Sequence, residues 1–296
     1  MRALAEFIMR GRVQATLVVA GAAVLPLLFW LSAAAVCLVL LRRGSDALSV
    51  LGVGVLSVLV SWHFLQDPTA LLVLLGTCGL ALVLRAGYSW NRVLLVSTAV
   101  GLLCAVSLGT VFGSFIESLA QTFQHVMPLV MGESYEKLSA DQKAVLASLT
   151  VPLMIISTAV SLQIFSVLCL ILGRYWQALL YNPGGFGREF RAIRIPKRVA
   201  LSLLAVMCVA PLIGWNALIL LPLCSVPLFF AGLSLLHGLV AQKKLASFWL
   251  VGFYVTVLPL MHLIGPLFVV LAIVDSLIDI RGRLASKDAD NANGEG

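Results

Sequence analysis

The chain has 296 residues, of which 61% are hydrophobic and only 11% charged, with a mean hydropathy of +1.05. A soluble domain carries about 25% charged residues and has too little interior to hide so much apolar side chain, so the composition excludes a soluble globular protein and makes lipid the solvent. The net charge of +7 sits beside the apolar blocks, at the depth of anionic headgroups, and no polar domain carries the basic patch a nucleic-acid binder needs.

Seven blocks contain no Asp, Glu, Lys or Arg: 13–41, 47–66, 68–84, 93–116, 144–173, 199–242 and 245–274. A bilayer core takes about 20 residues to cross, so these blocks amount to about 8–10 membrane segments of an all-α polytopic transmembrane helical bundle. Arg2, Arg10 and Arg12 precede the first block in the manner of a signal peptide's first half. Further apolar blocks follow at once, so the stretch reads as the first anchoring segment. Block 13–41 is broken by Pro26, and block 245–274 by Pro259, Gly265 and Pro266; each is expected to form a broken hairpin, with a single tilted span as the alternative. Block 199–242 is twice a span's length and must fold back, with Pro222 and Pro227 as the expected turn. Basic residues at 2–12, 42–43, 85–92, 174–198, 243–244 and 281–283, set against acidic or uncharged connections near 66 and 130, place both termini on the cytoplasmic side of the membrane. The six cysteines (Cys37, Cys78, Cys104, Cys169, Cys208, Cys224) lie inside apolar blocks without metal-ligand spacing. They read as small buried or lipid-facing side chains.

In block 93–116, Ser97, Gly101, Ala105, Gly109 and Gly113 recur every four residues. This small-residue stripe suits close helix packing, self-association or a subunit contact, with Gly109 and Gly113 its tightest point. Residues 115–131 carry Phe115, Ile116, Leu119, Phe123, Val126, Met127 and Val130 at helical spacing, with Glu117, Gln121, Gln124 and His125 on the other side. They predict an amphipathic helix on the outer surface, within an external segment spanning 114–143. Ser139-Ala-Asp-Gln142 is a capping-box pattern that opens a helix of more than thirty residues, ending near Gly173.

The basic segment 173–198 holds six Lys and Arg residues and one acid, Glu189. Arg174, Tyr175 and Trp176 suit the inner interface, and Asn182-Pro-Gly-Gly185 is turn chemistry. Beyond the turn, Phe186, Phe190 and Ile193 share one face of a short amphipathic helix at the inner membrane surface. Its arginines Arg188, Arg191 and Arg194 point to headgroups, cytoplasm or a partner. Thus 1–281 reads as one transmembrane domain and 282–296 as a disordered cytoplasmic tail.

The run Tyr175-Trp-Gln-Ala-Leu-Leu-Tyr-Asn-Pro-Gly-Gly-Phe-Gly-Arg-Glu-Phe-Arg-Ala-Ile-Arg-Ile-Pro196 resembles the YybS-like family of bacterial integral membrane proteins, as does the Leu-Arg-Arg-Gly44 turn. That family is distantly similar to the substrate-binding S components of energy-coupling-factor vitamin transporters. The resemblance implies small-molecule transport as a binding subunit with an energising partner. It carries no substrate motif onto these residues, and S components usually have six spans where more are counted here.

Polar groups within apolar blocks are the functional suspects. Gln163, Asn216 and His262 are the candidate substrate contacts, His262 because it lies in a broken helix of the kind that lines transporter sites. Each also has a plain structural role available, as an interhelical hydrogen bond or a loop tip. Asp275 and Asp279, one turn apart beside Arg281 and Arg283, are expected to be interfacial and paired with arginine. The Gly184-Gly-x-Gly187 run lacks a P-loop's Gly-Lys-Ser/Thr. No metal site, cofactor or catalytic residue is expected, so the chain reads as a non-enzyme. It is either a transport subunit or a membrane scaffold or assembly factor that uses its basic loop. Expected partners are a bilayer with anionic headgroups and another membrane protein.

Overall fold

The structure is a computed structural model that describes residues 1–214, 217–243, 248–257 and 259–284. Asn216 and the tail from residue 285 lie outside the described residues. These contain fourteen α-helices and no strand. Six stretches are long and apolar enough to cross a membrane: Pro26–Arg43, Leu48–Leu65, Trp90–Thr110, Ala140–Tyr181, Leu220–Gln242 and Met261–Ile278. Three shorter apolar helices, Arg12–Val24, Thr69–Arg85 and Phe248–Val257, accompany them. The chain is an all-α, polytopic membrane protein. It divides into two compact units, one of residues 1–86 and 99–180, the other of 87–98 and 181 onward.

The first unit holds α1 (Arg2–Arg10), α2 (Arg12–Val24), α3 (Phe29–Arg43), α4 (Leu48–Leu65), α5 (Thr69–Arg85), most of α6 (Trp90–Thr110), α7 (Gly113–Met131), α8 (Glu133–Glu136) and α9 (Ala140–Tyr181). The hairpin expected at Pro26 forms. Pro26–Leu28 make one 3₁₀ turn, and α3 packs back against α2. Ser32 Oγ donates to the Val19 carbonyl (3.0 Å) and Arg43 Nη2 to that of Met9 (3.0 Å). Both pairs straddle the break almost symmetrically, so the arms are antiparallel. The last carbonyls of a helix lack intrahelical donors. Those of α3 are met by Arg85 Nη1 at Leu40 (2.6 Å) and Gln177 Nε2 at Leu41 (3.3 Å), which gathers Arg43 and Arg85 at one end of the unit.

The small-residue stripe is packed along its first half only. Ser97, Gly101 and Ala105 are buried, whereas Gly109 is exposed. The helix stops at Thr110, and Gly113 opens α7 with nothing within 4 Å of a notional Cβ. In α7 the polar residues Glu117, Gln121, Gln124 and His125 are exposed, as the pattern predicts. Ile116, Ala120 and Met127 pack inward, while Phe123, Val126 and Val130 leave an apolar edge uncovered by protein. The capping box closes in both directions: Ser139 N donates to Gln142 Oε1 (2.9 Å) and Gln142 N to Ser139 Oγ (3.2 Å). The helix it opens, α9, runs 42 residues, about 63 Å and so roughly twice a hydrocarbon core. It continues past Gly173 to Tyr181. Trp176 is therefore not an interfacial residue but a fully buried one, at 0% exposure.

The second unit contains the start of α6 with α10 (Gly185–Arg191), α11 (Lys197–Ile213), α12 (Leu220–Gln242), α13 (Phe248–Val257) and α14 (Met261–Ile278). The fold-back of block 199–242 falls between Ile213 and Leu220, not at Pro222 or Pro227. Pro222 lies in the first turn of α12, where a missing N–H costs nothing, and Pro227 is carried inside the helix. α12 and α14 pack closely. Gly232 meets the Phe268 backbone and, further along, Gly238 meets Arg281, so the two helices run parallel. The chain must return between them, and α13 is that return. Of the breaks expected in block 245–274, the one at Pro259 falls between α13 and α14, whereas Gly265 and Pro266 are carried inside α14.

A Cβ at Gly232 would overlap the Phe268 carbonyl oxygen, a backbone atom that cannot swing aside. Gly232→Ala should therefore destabilise the protein in detergent by about 1–3 kcal/mol, the usual range for overpacking. Gly109→Ala has only Ile155 Cδ1 near it, at 3.7 Å, and should be neutral or slightly stabilising through helix propensity. Thermal unfolding of the two variants against the parent chain measures the contrast.

Candidate functional site: the basic loop and its anchor

The loop begins where Asn182-Pro-Gly-Gly185 turns the chain. Gly185 N donates to the Asn182 carbonyl (2.9 Å), and Gly184 adopts φ +79°, a backbone state open to glycine at little cost. In α10, Phe190 is buried and stacks edge-on against His237 with ring centroids 5.4 Å apart; Phe186 meets Trp90 at 6.0 Å. Ile193 and Ile195 are also buried. The face that the sequence assigns to the membrane surface is instead packed inside the unit. That packing turns the opposite face, with Arg188 and Arg191, outward.

Asp275, in the last turn of α14, is the centre of the anchor and only 2% exposed. Its Oδ2 accepts from Arg281 Nη2 (2.9 Å) and lies 3.9 Å from Arg194 Nε, while Oδ1 accepts the Ile280 amide (3.0 Å). Arg194 Nη2 donates to the Asp275 main-chain carbonyl (2.9 Å), and its Nη1 lies 3.0 Å from Asp279 Oδ1. Asp279 ends α14 at φ +53°, left-handed for a residue with a Cβ, and accepts the Gly282 amide on its own side chain (3.2 Å). Short polar side chains tolerate that conformation because they make such local bonds. Arg281 continues into the loop, donating to the carbonyls of Arg191 and Ile193. Ser234 Oγ of α12 lies 2.7 and 3.0 Å from the carbonyls of Phe190 and Ile193. Asn91 Oδ1 accepts the Arg194 amide (3.1 Å), and Trp90 Nε1 donates to Glu189 Oε2 (3.3 Å).

Removing a carboxylate and its cations from water costs several kcal/mol per ion, so such a group persists only where pairing and hydrogen bonds offset the loss. Here every oxygen of Asp275 has a partner. The loop's one acid and both last-turn acids of α14 are occupied within the cluster. Arg188, Arg191, Lys197 and Arg198 stand exposed on the outer side.

The pairing of Asp275 with arginine expected from sequence is present, but the sequence points only to its neighbours in the chain. Arg194, 81 residues away, and Ser234 were not legible. Ser234 is one of three serines in its apolar block, with Ser202 and Ser225, and nothing in the sequence sets it apart. Of the other candidates, Gln163 is fully buried in the first unit, and His262 is exposed in the first turn of α14 in the second. Asn216 lies outside the described residues. A hydrogen bond between His237 Nε2 and Tyr254 Oη (2.7 Å) ties α12 to α13. Among the described residues no three His, Cys, Asp or Glu side chains converge as a metal site requires.

Comparison with known protein families, with curated proteins and with solved structures gives no match. The physical reading of the site stands on the chain itself.

Asp275→Ala would leave two arginines without their carboxylate and should cost about 3–5 kcal/mol, the range for breaking a buried pair. Asp279→Ala removes a carboxylate whose side chain is 48% exposed and should cost about 1 kcal/mol or less. Denaturation of both variants in the same detergent checks the ratio.

Proposed function

We propose that the chain is a non-enzymatic, multi-pass protein of a bacterial inner membrane, with both termini cytoplasmic, that acts as a scaffold or assembly factor through its basic loop. The carrying observation is the division of labour among the loop's cations. Arg194 is spent on the anchor with Arg281, and this fixes the loop to α12 and α14. Arg188, Arg191, Lys197 and Arg198 remain outward as a cationic surface of fixed geometry. A rigid charged surface binds at lower entropic cost than a free tail, because its side chains are ordered beforehand. The location of the loop's cations at the ends of apolar helices supports a cytoplasmic placement. The resemblance of Tyr175–Pro196 to the YybS-like family agrees with a bacterial membrane protein.

A second reading, a transport subunit similar to S components and served by an energising partner, draws on two observations. The helices are broken at Pro26 and between Val257 and Met261, as in transporters whose sites lie at interrupted helices. Gln163 is a fully buried amide within α9.

Arg188→Glu combined with Arg191→Glu should leave the melting temperature within experimental error and reduce recovery of membrane proteins cross-linked to the parent chain several-fold. Unchanged recovery would remove the platform reading. Gln163→Leu should leave recovery unaffected; if it abolished uptake or binding of a small molecule, the transport reading would take its place.

A further inference from the structure

We infer that the outward cationic surface of the loop is a binding site for the phosphate headgroups of anionic phospholipids. This goes beyond the platform reading, with which it shares only the anchored, outward cations.

Three observations converge. First, the charge is in excess: four exposed cations stand against the loop's single acid, Glu189. Glu189 is bonded to Trp90, and Asp275 and Asp279 are held by Arg194 and Arg281. Arg188, Arg191, Lys197 and Arg198 are all exposed, and an anion from outside the protein is the complement they fit. Second, the surface is built as two pairs. Arg188 and Arg191 are three residues apart on α10, which sets their side chains on one face of the helix. Lys197 and Arg198 are adjacent at the start of α11. Guanidinium forks match phosphate oxygens bidentately, and ammonium groups act on them as point charges. Third, depth selects the source of the phosphate. Lys197 and Arg198 directly precede the uncharged, apolar run that begins at Val199, and basic residues at the end of such a run lie at headgroup depth. The phosphates abundant at that depth belong to lipids. The anchor supplies what a mobile basic segment lacks, since the buried Phe190, Ile193 and Ile195 stop α10 from rotating its arginines away.

The experiment uses the full chain purified in detergent, with phosphatidylglycerol or phosphatidylcholine added and the retained lipid read by native mass spectrometry. The parent chain should retain phosphatidylglycerol in preference to phosphatidylcholine. Arg188→Gln/Arg191→Gln and Lys197→Gln/Arg198→Gln should each lower that retention roughly tenfold or more, given how much each cation near an anionic surface contributes. A comparator, Arg10→Gln/Arg12→Gln, removes two exposed arginines of the first unit and should leave retention near the parent's. Equal loss in the comparator, retention unchanged in both loop variants, or equal protection against thermal unfolding by inorganic phosphate would each overturn the proposal. Recovery of cross-linked membrane proteins from the same preparations keeps the two inferences apart. Lost lipid with unchanged recovery leaves the lipid site standing and removes the platform, and the reverse removes the lipid site alone.

Discussion

One carboxylate holds the second unit together. Asp275 lies almost out of reach of water, and a charge there is tolerable only while Arg281 and Arg194 stay beside it. Its partners come from different parts of the chain. Arg281 follows α14 and Arg194 precedes α11, while Ser234 of α12 shares the Ile193 carbonyl with Arg281. Meeting that one requirement therefore sets where the loop sits against α12 and α14. The parallel run of these two helices, made possible by Gly232, brings Ser234 and Asp275 to the same end of the unit. The outward face of α10 follows from this and is not a separate feature.

Much of the fold was legible because its signals are local. The apolar blocks, the break at Pro26, the Ser139–Gln142 capping box and the polar face of α7 each depend on residues a few positions apart. The misplaced features all depend on residues distant in sequence. Pro222 and Pro227 are good turn residues in isolation, yet the turn falls after Ile213: Pro222 sits in the first turn of α12, where a proline is no obstacle, and the helix runs on through Pro227. Trp176 has the composition of an interfacial tryptophan but lies on a helix that outruns the block defining it. The Gly109 and Gly113 spacing looked tight, although whether a glycine is needed depends on what faces it. Gly232, in no motif, is set directly against a neighbouring backbone.

The same contrast governs the site. That Asp275 pairs with an arginine could be read from its neighbours in the chain. The second arginine, the serine and the asparagine that complete the anchor could not, because loop and helix meet only in three dimensions. Arg188, Arg191 and Arg194 look alike in sequence, and the structure separates them: two face outward and one is structural. Gln163 and His262 belong to different units, which is why a platform built from one unit's own contacts has firmer physical support than a substrate site assembled from these residues.

The central claim is that the loop is fixed by the buried carboxylate. Amide hydrogen exchange across 185–195 in the parent chain and in Asp275→Asn tests it most directly. Slow exchange at Ala192, Ile193 and Arg194 in the parent, where each amide has a hydrogen-bond acceptor, and fast exchange in the variant is the outcome that the anchor requires. Equally fast exchange in both, or equal protection in both, would contradict it.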